Sequence, residues 1–309
     1  MTKTAFLFSG QGAQKKAMAA DLYEKFDSVR ATYDQASELL GYDLRALIDS
    51  DEAKLNQTEY TQPAILTTSV AIWRLLSENR IQPDVVAGLS LGEYSAMVAS
   101  GALKFEDAVT LVAKRGKFMA EAAPAGVGKM VAVMKTDVSL IEEICKAVSN
   151  ETGQIVSPAN YNTPDQIVIG GEVTAVNMVC EALKAAGSKR LIELKVSGPF
   201  HTALLKPASE KLAVELEKVD FSDFDLPLIS NTTAQVMKKS DIKSLLTRQV
   251  MEPVRFYESV STMQQLGVTR FIEVGPGKVL SGFVKKIAPE AELANVEDVE
   301  SFESLLSLQ

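Results

Sequence analysis

The chain has 309 residues, 46% hydrophobic and 23% charged, with a formal net charge of −8: an ordinary globular composition, long enough for one large or two modest domains. The acidic balance argues against nucleic acid or an anionic membrane surface as the main partner, and no run approaches the ~20 apolar residues of a membrane span. Thr4-Ala5-Phe6-Leu7-Phe8 is too short for a signal peptide, so a cytoplasmic protein is expected, with Cys145 and Cys180 as small buried hydrophobes rather than a disulfide or metal pair.

Taken in chain order, Thr4 to Phe8 reads as the first core strand and leads into Ser9-Gly10-Gln11-Gly12-Ala13-Gln14. Its two glycines permit unusual backbone angles and a close approach to a ligand. The segment lacks the Gly-Lys-Ser/Thr of a P-loop and the full dinucleotide fingerprint, so an oxyanion-hole turn fits it better. Asp84-Val85-Val86-Ala87 is the next strand, followed by Gly88-Leu89-Ser90-Leu91-Gly92 and a helix over 93–100 that stops at Gly101. A helix over 105–119 carries an apolar stripe of Phe105, Ala108, Val109, Val112, Gly116 and Met119, with Lys114 and Lys117 on its far side.

The middle has a different rhythm. A strand at 129–135, a helix at 137–150 capped by Asp137 or Ser139, strands at 154–157 and 166–169, a helix at 173–186 and a strand at 190–195 follow. That is the β-α-β-β-α-β order of a ferredoxin-like unit. Turn sequences bracket it, at Ala122-Ala123-Pro124-Ala125-Gly126 and Ser197-Gly198-Pro199. A helix over 208–217, an extended run over 227–230 and a strand over 269–274 ending in Gly275-Pro276-Gly277 complete the pattern. The prediction is an α/β fold. A large α/β-hydrolase-like domain with a parallel sheet takes residues 1–126 and 197–309, and a ferredoxin-like subdomain is inserted at 127–196.

Three residues carry the chemical argument. Gly88-x-Ser90-x-Gly92 between a strand and a helix is the arrangement of a nucleophile elbow, where glycines admit a sharp turn and the serine stands above the sheet edge. The alternative is a serine that merely caps the helix. A serine hydroxyl needs a base, and the chain has a single histidine, His201, in the rigid turn Gly198-Pro199-Phe200-His201-Thr202. Either that residue performs the imidazole chemistry or none does. Arg115 sits at the edge of the apolar stripe rather than with the lysines, and a guanidinium there requires a partner. A carboxylate is the natural bidentate one, either from an internal Asp or Glu or from a substrate. The pair Ser90 and His201 also leaves room for a serine esterase or thioesterase, and for a binding protein that uses both only as turn residues.

The set Phe8-Ser9-Gly10-Gln11-Gly12, Gly88-Leu89-Ser90-Leu91-Gly92-Glu93, Lys114-Arg115-Gly116, Asn160-Tyr161-Asn162, Phe200-His201-Thr202 and Glu273-Val274-Gly275-Pro276-Gly277 resembles the malonyl-CoA:acyl-carrier-protein transacylases of fatty acid synthesis over essentially the whole chain. The resemblance implies Ser90 as nucleophile, His201 as general base and acid, and Arg115 as the clamp on the malonyl carboxylate. It implies an oxyanion hole from the backbone N–H groups of Gln11 and Leu91, a backbone carbonyl of Gln249 that orients the histidine, and Asn160 and Asn162 in the same cleft. Malonyl-CoA and a phosphopantetheinylated acyl carrier protein are the implied partners of a monomer, with no metal and no cofactor. Leu89 stands where relatives commonly have a second histidine, and Phe200 suits malonyl better than a methyl-branched acyl group. Docking of an acidic carrier requires a local basic surface; Lys189-Arg190, Lys285-Lys286 and Lys114 with Lys117 are the candidates.

Overall fold

Strand β1 (Lys3–Phe8) turns successive side chains to opposite faces: Phe6 and Phe8 enter one core, Ala5 and Leu7 another. The computed structural model describes residues 2–307; Met1, Leu308 and Gln309, the outer ends of the expected large domain, lie outside the described residues. β1 is central in a parallel sheet of order β2-β1-β7-β8, formed with β2 (Val85–Gly88), β7 (Val268–Val274) and β8 (Glu292–Val296). Helices cover both faces, as a parallel sheet requires. Thr58–Glu78, Gly92–Ala99 and Phe105–Ala122 pack in the core that holds Phe6 and Phe8, while Phe256–Gln265 and Val279–Ile287 cover Ala5 and Leu7.

A separate antiparallel sheet has the order β4-β5-β3-β6, with β3 (Gly128–Met134), β4 (Val156–Thr163), β5 (Gln166–Glu172) and β6 (Arg190–Glu193). Val131 and Val133 point to one side, against helices Val138–Thr152 and Val173–Ala185 through Ile141, Val148, Val176 and Leu183. Each such aliphatic side chain contributes about 1.5–3 kcal/mol on full burial. Met130 and Ala132, one residue out of phase on β3, point the other way and line a cleft.

Several boundaries differ from the sequence expectation. β4 runs on to Thr163 instead of stopping at 157. In that extension Pro158, Asn160, Asn162 and Thr163 disguise a strand, and an edge position with register shifts beside Pro158 and Tyr161 lets it tolerate them. The extended run at 227–230 contributes only isolated bridges, Leu228 beside Val86 and Ile229 beside Val236. The helix expected over 208–217 spans Lys206–Leu216, with a proline in its first turn. Asp137, not Ser139, caps its helix through the Leu140 amide at 3.2 Å. Cys145 is buried as expected, whereas Cys180 is only partly so. Among the described residues, no helix is long and apolar enough to cross a membrane.

Candidate active site

The site grows from the end of β2. A Cβ on Gly88 would lie 2.0 Å from the Gly92 carbonyl carbon, and one on Gly92 would lie 2.0 Å from the Phe8 carbonyl oxygen. The strand therefore turns into its helix against the neighbouring strand with no space for side chains at those two positions. Between them Ser90 adopts φ 54, the left-handed region that a non-glycine residue occupies only when its surroundings enforce it. Asn231 supplies that enforcement: its Oδ1 accepts from the Ser90 amide at 2.6 Å, and its Nδ2 donates to the Gly88 carbonyl at 2.6 Å.

His201 approaches from a second turn and is also left-handed, at φ 60. The Thr202 hydroxyl stabilises this turn by donating to the Pro199 carbonyl at 2.7 Å. His201 Nε2 lies 2.8 Å from Ser90 Oγ, and Nδ1 lies 2.7 Å from the backbone oxygen of Gln249. A carbonyl can only accept, so Nδ1 carries the proton and Nε2 presents its lone pair to the serine hydroxyl. The serine hydroxyl, the imidazole and the Gln249 carbonyl thus stand in line, an arrangement that can activate a serine.

Arg115 is 1% exposed. Nη1 donates to Gln62 Oε1 at 2.8 Å, and Nη2 donates to Gln249 Oε1 at 2.9 Å and to Ser90 Oγ at 3.1 Å. The guanidinium lies 5.3 Å from the ring centroid of Tyr94. The expected internal carboxylate is not there. Among the described residues, Arg115 forms no ion pair, and its hydrogen-bonding partners are two glutamine oxygens and the serine. Glu93 is the nearby carboxylate, reached through the Gln249 amide, whose Nε2 donates to Glu93 Oε2 at 2.6 Å and to the Ser90 carbonyl at 2.9 Å.

Electrostatics follow from this burial. Desolvation, reinforced by the Arg115 charge, lowers the His201 imidazole to about 4. Desolvation raises the Glu93 carboxyl to about 7. A base lowered from 6.5 to about 4 stays unprotonated, and competent, throughout that window. Labelling of Ser90 by a neutral fluorophosphonate should therefore lose its rate only as the pH falls to about 4; half-maximal labelling near 6.5 would show an imidazole that is not shielded.

The remaining expected residues surround these four. Gln11, Asn160 and Asn162 line a cleft of about 370 Å³ together with Ser90, His201 and Phe200. Asn160 and Asn162 are two apart on β4 and so face the same side. Gln11 Nε2 donates to Thr58 Oγ1 at 3.1 Å. Leu91 is the N-cap of the helix behind the serine. Among the described residues, no hydrogen bond engages the backbone N–H of Gln11 or Leu91, which leaves both donors free. Leu89 lines the same cleft. Sequence reasoning did not foresee the side-chain work of Gln249, Gln62 and Asn231. Of the lysines suggested for docking, Lys114 is held by Glu215 at 2.6 Å.

A family model described as the acyl transferase domain matches residues 5–306. The chain is 48% identical over 305 residues to a malonyl CoA-acyl carrier protein transacylase of Bacillus subtilis, covering 98% of this chain and 96% of that protein. It is 44% identical over 309 residues to a protein of the same name from Haemophilus influenzae, covering 99% and 98%. Among solved structures, MCAT from Streptococcus pneumoniae superposes with a TM-score of 0.97 at 65% identity, covering 99% of this chain and 100% of that one. A malonyl-transacylase solved in complex with a type II PKS acyl-carrier protein gives a TM-score of 0.96 at 44% identity, with both chains fully covered.

Proposed function

The chain belongs to the acyl transferase family, among the malonyl-CoA:acyl-carrier-protein transacylases, and from that premise we propose that Ser90 carries a malonyl group between two thiols. Ser90 Oγ attacks the thioester carbonyl of malonyl-CoA while its proton passes to His201 Nε2. The resulting oxyanion rests on the free N–H groups of Gln11 and Leu91. As the tetrahedral species collapses, the C–S bond breaks and His201 returns the proton to the coenzyme A sulfur, leaving a malonyl-serine ester. The phosphopantetheine thiol of the carrier protein then gives its proton to His201 and attacks the ester, and Ser90 leaves with that proton. One thioester replaces another, so the cycle needs no external energy source.

The observation that carries this reading is Arg115: a buried guanidinium without an ionic partner among the described residues, whose Nη2 lies 3.1 Å from Ser90 Oγ. A buried cation in want of a carboxylate suits an acyl group that brings one. An esterase acting on neutral acyl groups would have no use for it. We also read the two sheets as two units, a large α/β-hydrolase-like one from 1–126 and 197–309 and a ferredoxin-like insertion at 127–196. The β3-helix-β4-β5-helix-β6 connection and the β4-β5-β3-β6 order support this partition. Asn160 and Asn162 would then bring the inserted unit to the acyl group. Lys117, Lys189-Arg190 and Lys285-Lys286 are exposed and available to an acidic carrier.

Intact mass spectrometry after brief incubation with malonyl-CoA tests the reading. A malonyl adduct should form, then disappear on addition of phosphopantetheinylated carrier protein as the same mass appears on the carrier. Rapid release of free malonate without transfer would make the protein a hydrolase, and no adduct under any condition would overturn the covalent route.

A further inference from the structure

Glu93 lies in the first turn of the helix behind the nucleophile, and is 1% exposed. Both hydrogen bonds it accepts come from N–H groups, the Gln249 side-chain amide at 2.6 Å and the Asn231 backbone at 3.3 Å. A primary amide has one donating and one accepting end. With Nε2 turned towards Glu93 and the Ser90 carbonyl, Gln249 necessarily turns Oε1 towards Arg115, which it holds at 2.9 Å. The reverse orientation would set Nε2 against the guanidinium donors, and Oε1 against both a carboxylate and a carbonyl. The carboxylate thus fixes the amide, and the amide fixes the arginine. In its ionised form Glu93 also supplies, through that chain, the countercharge that Arg115 lacks by direct contact.

We propose that Glu93 is a positioning residue that acts through the Gln249 amide to hold Arg115 at the nucleophile and so sets the preference for an acyl group bearing a carboxylate. The proposal rests on Arg115 as the carboxylate clamp. A neutral acyl group does not use the clamp, so the two kinds of substrate separate this role from a general contribution to folding.

Glu93→Gln keeps the shape but replaces one acceptor with a donor, where both neighbours donate. Its kcat/KM for malonyl-CoA should fall about 10- to 100-fold, with a much smaller fall for acetyl-CoA, so the malonyl-to-acetyl ratio drops at least about tenfold. Gln249→Met keeps the backbone carbonyl on His201 but removes the amide link, and should lower the ratio in the same way; it serves as the test if Glu93→Gln does not fold. An unchanged ratio in either folded variant, or equal losses on both substrates accompanied by a lower Tm, overturns the proposal. Arg115→Ala is measured alongside: if it retains the wild-type preference, the clamp itself fails, an outcome distinct from failure of Glu93 alone.

Discussion

Ser90→Ala should carry no acyl adduct after incubation with malonyl-CoA, and His201→Ala should acylate about 10²- to 10⁴-fold more slowly than wild type. The two differ because they remove different things. Ser90→Ala deletes the atom to which the acyl group would be attached, leaving the turn held by Asn231 at the Ser90 amide and the Gly88 carbonyl. His201→Ala leaves the hydroxyl in place, 3.1 Å from Arg115 Nη2, but removes the only imidazole in the chain. Water and the neighbouring amides cannot take the proton at a matching rate. Rapid-quench mass spectrometry over milliseconds to hours reads both effects. An adduct on Ser90→Ala would move the nucleophile elsewhere, and near-normal acylation of His201→Ala would remove the imidazole from the reaction.

Arg115→Ala should lower malonyl transfer by about 10²- to 10³-fold, which corresponds to the loss of one partner from a buried, hydrogen-bonded charge pair. Acetyl transfer should change far less. The substitution also leaves Gln62 Oε1 and Gln249 Oε1 without the donors they have at 2.8 and 2.9 Å, so some loss of thermal stability accompanies it. Arg115→Lys keeps the charge but replaces a planar fork with a single ammonium, and should recover only part of the rate. Parallel kcat/KM measurements with malonyl-CoA and acetyl-CoA separate the two consequences. A malonyl-to-acetyl ratio that survives Arg115→Ala would sink the clamp.

Ser90, His201 and Arg115, which the structure brings together, were legible in the sequence because each stands in a local setting that its proposed chemistry demands. Ser90 needs flanking glycines, His201 is unique, and Arg115 breaks the pattern of its own helix. The side chains that hold them carry no such mark. Gln62 lies on Thr58–Glu78, a helix buried on nearly every side, with Pro63 inside it and threonines among its buried residues. Amphipathic periodicity has nothing to mark in such a segment. Gln249 ends the short helix Ile242–Gln249, and Asn231 lies in an irregular segment; both reach Ser90 across more than a hundred residues of chain. Contacts of that kind are set by packing, which one sequence does not display. The alternation of elements pointed to two sheets, yet the length of β4 was hidden by the same asparagines that line the cleft.

One imidazole in 309 residues also makes this site unusually open to spectroscopy. In a proton–nitrogen correlation spectrum tuned to histidine rings, the protein should give the signals of a single side chain, with no assignment problem. The proton on Nδ1, 2.7 Å from the Gln249 oxygen, should resonate far downfield and exchange slowly, while Nε2 shows the shift of an unprotonated nitrogen that accepts a hydrogen bond. Formation of the acyl-serine removes the hydroxyl hydrogen from the 2.8 Å contact with Nε2, and that nitrogen alone should respond. Each half of the proposed transfer cycle can then be followed at the imidazole itself.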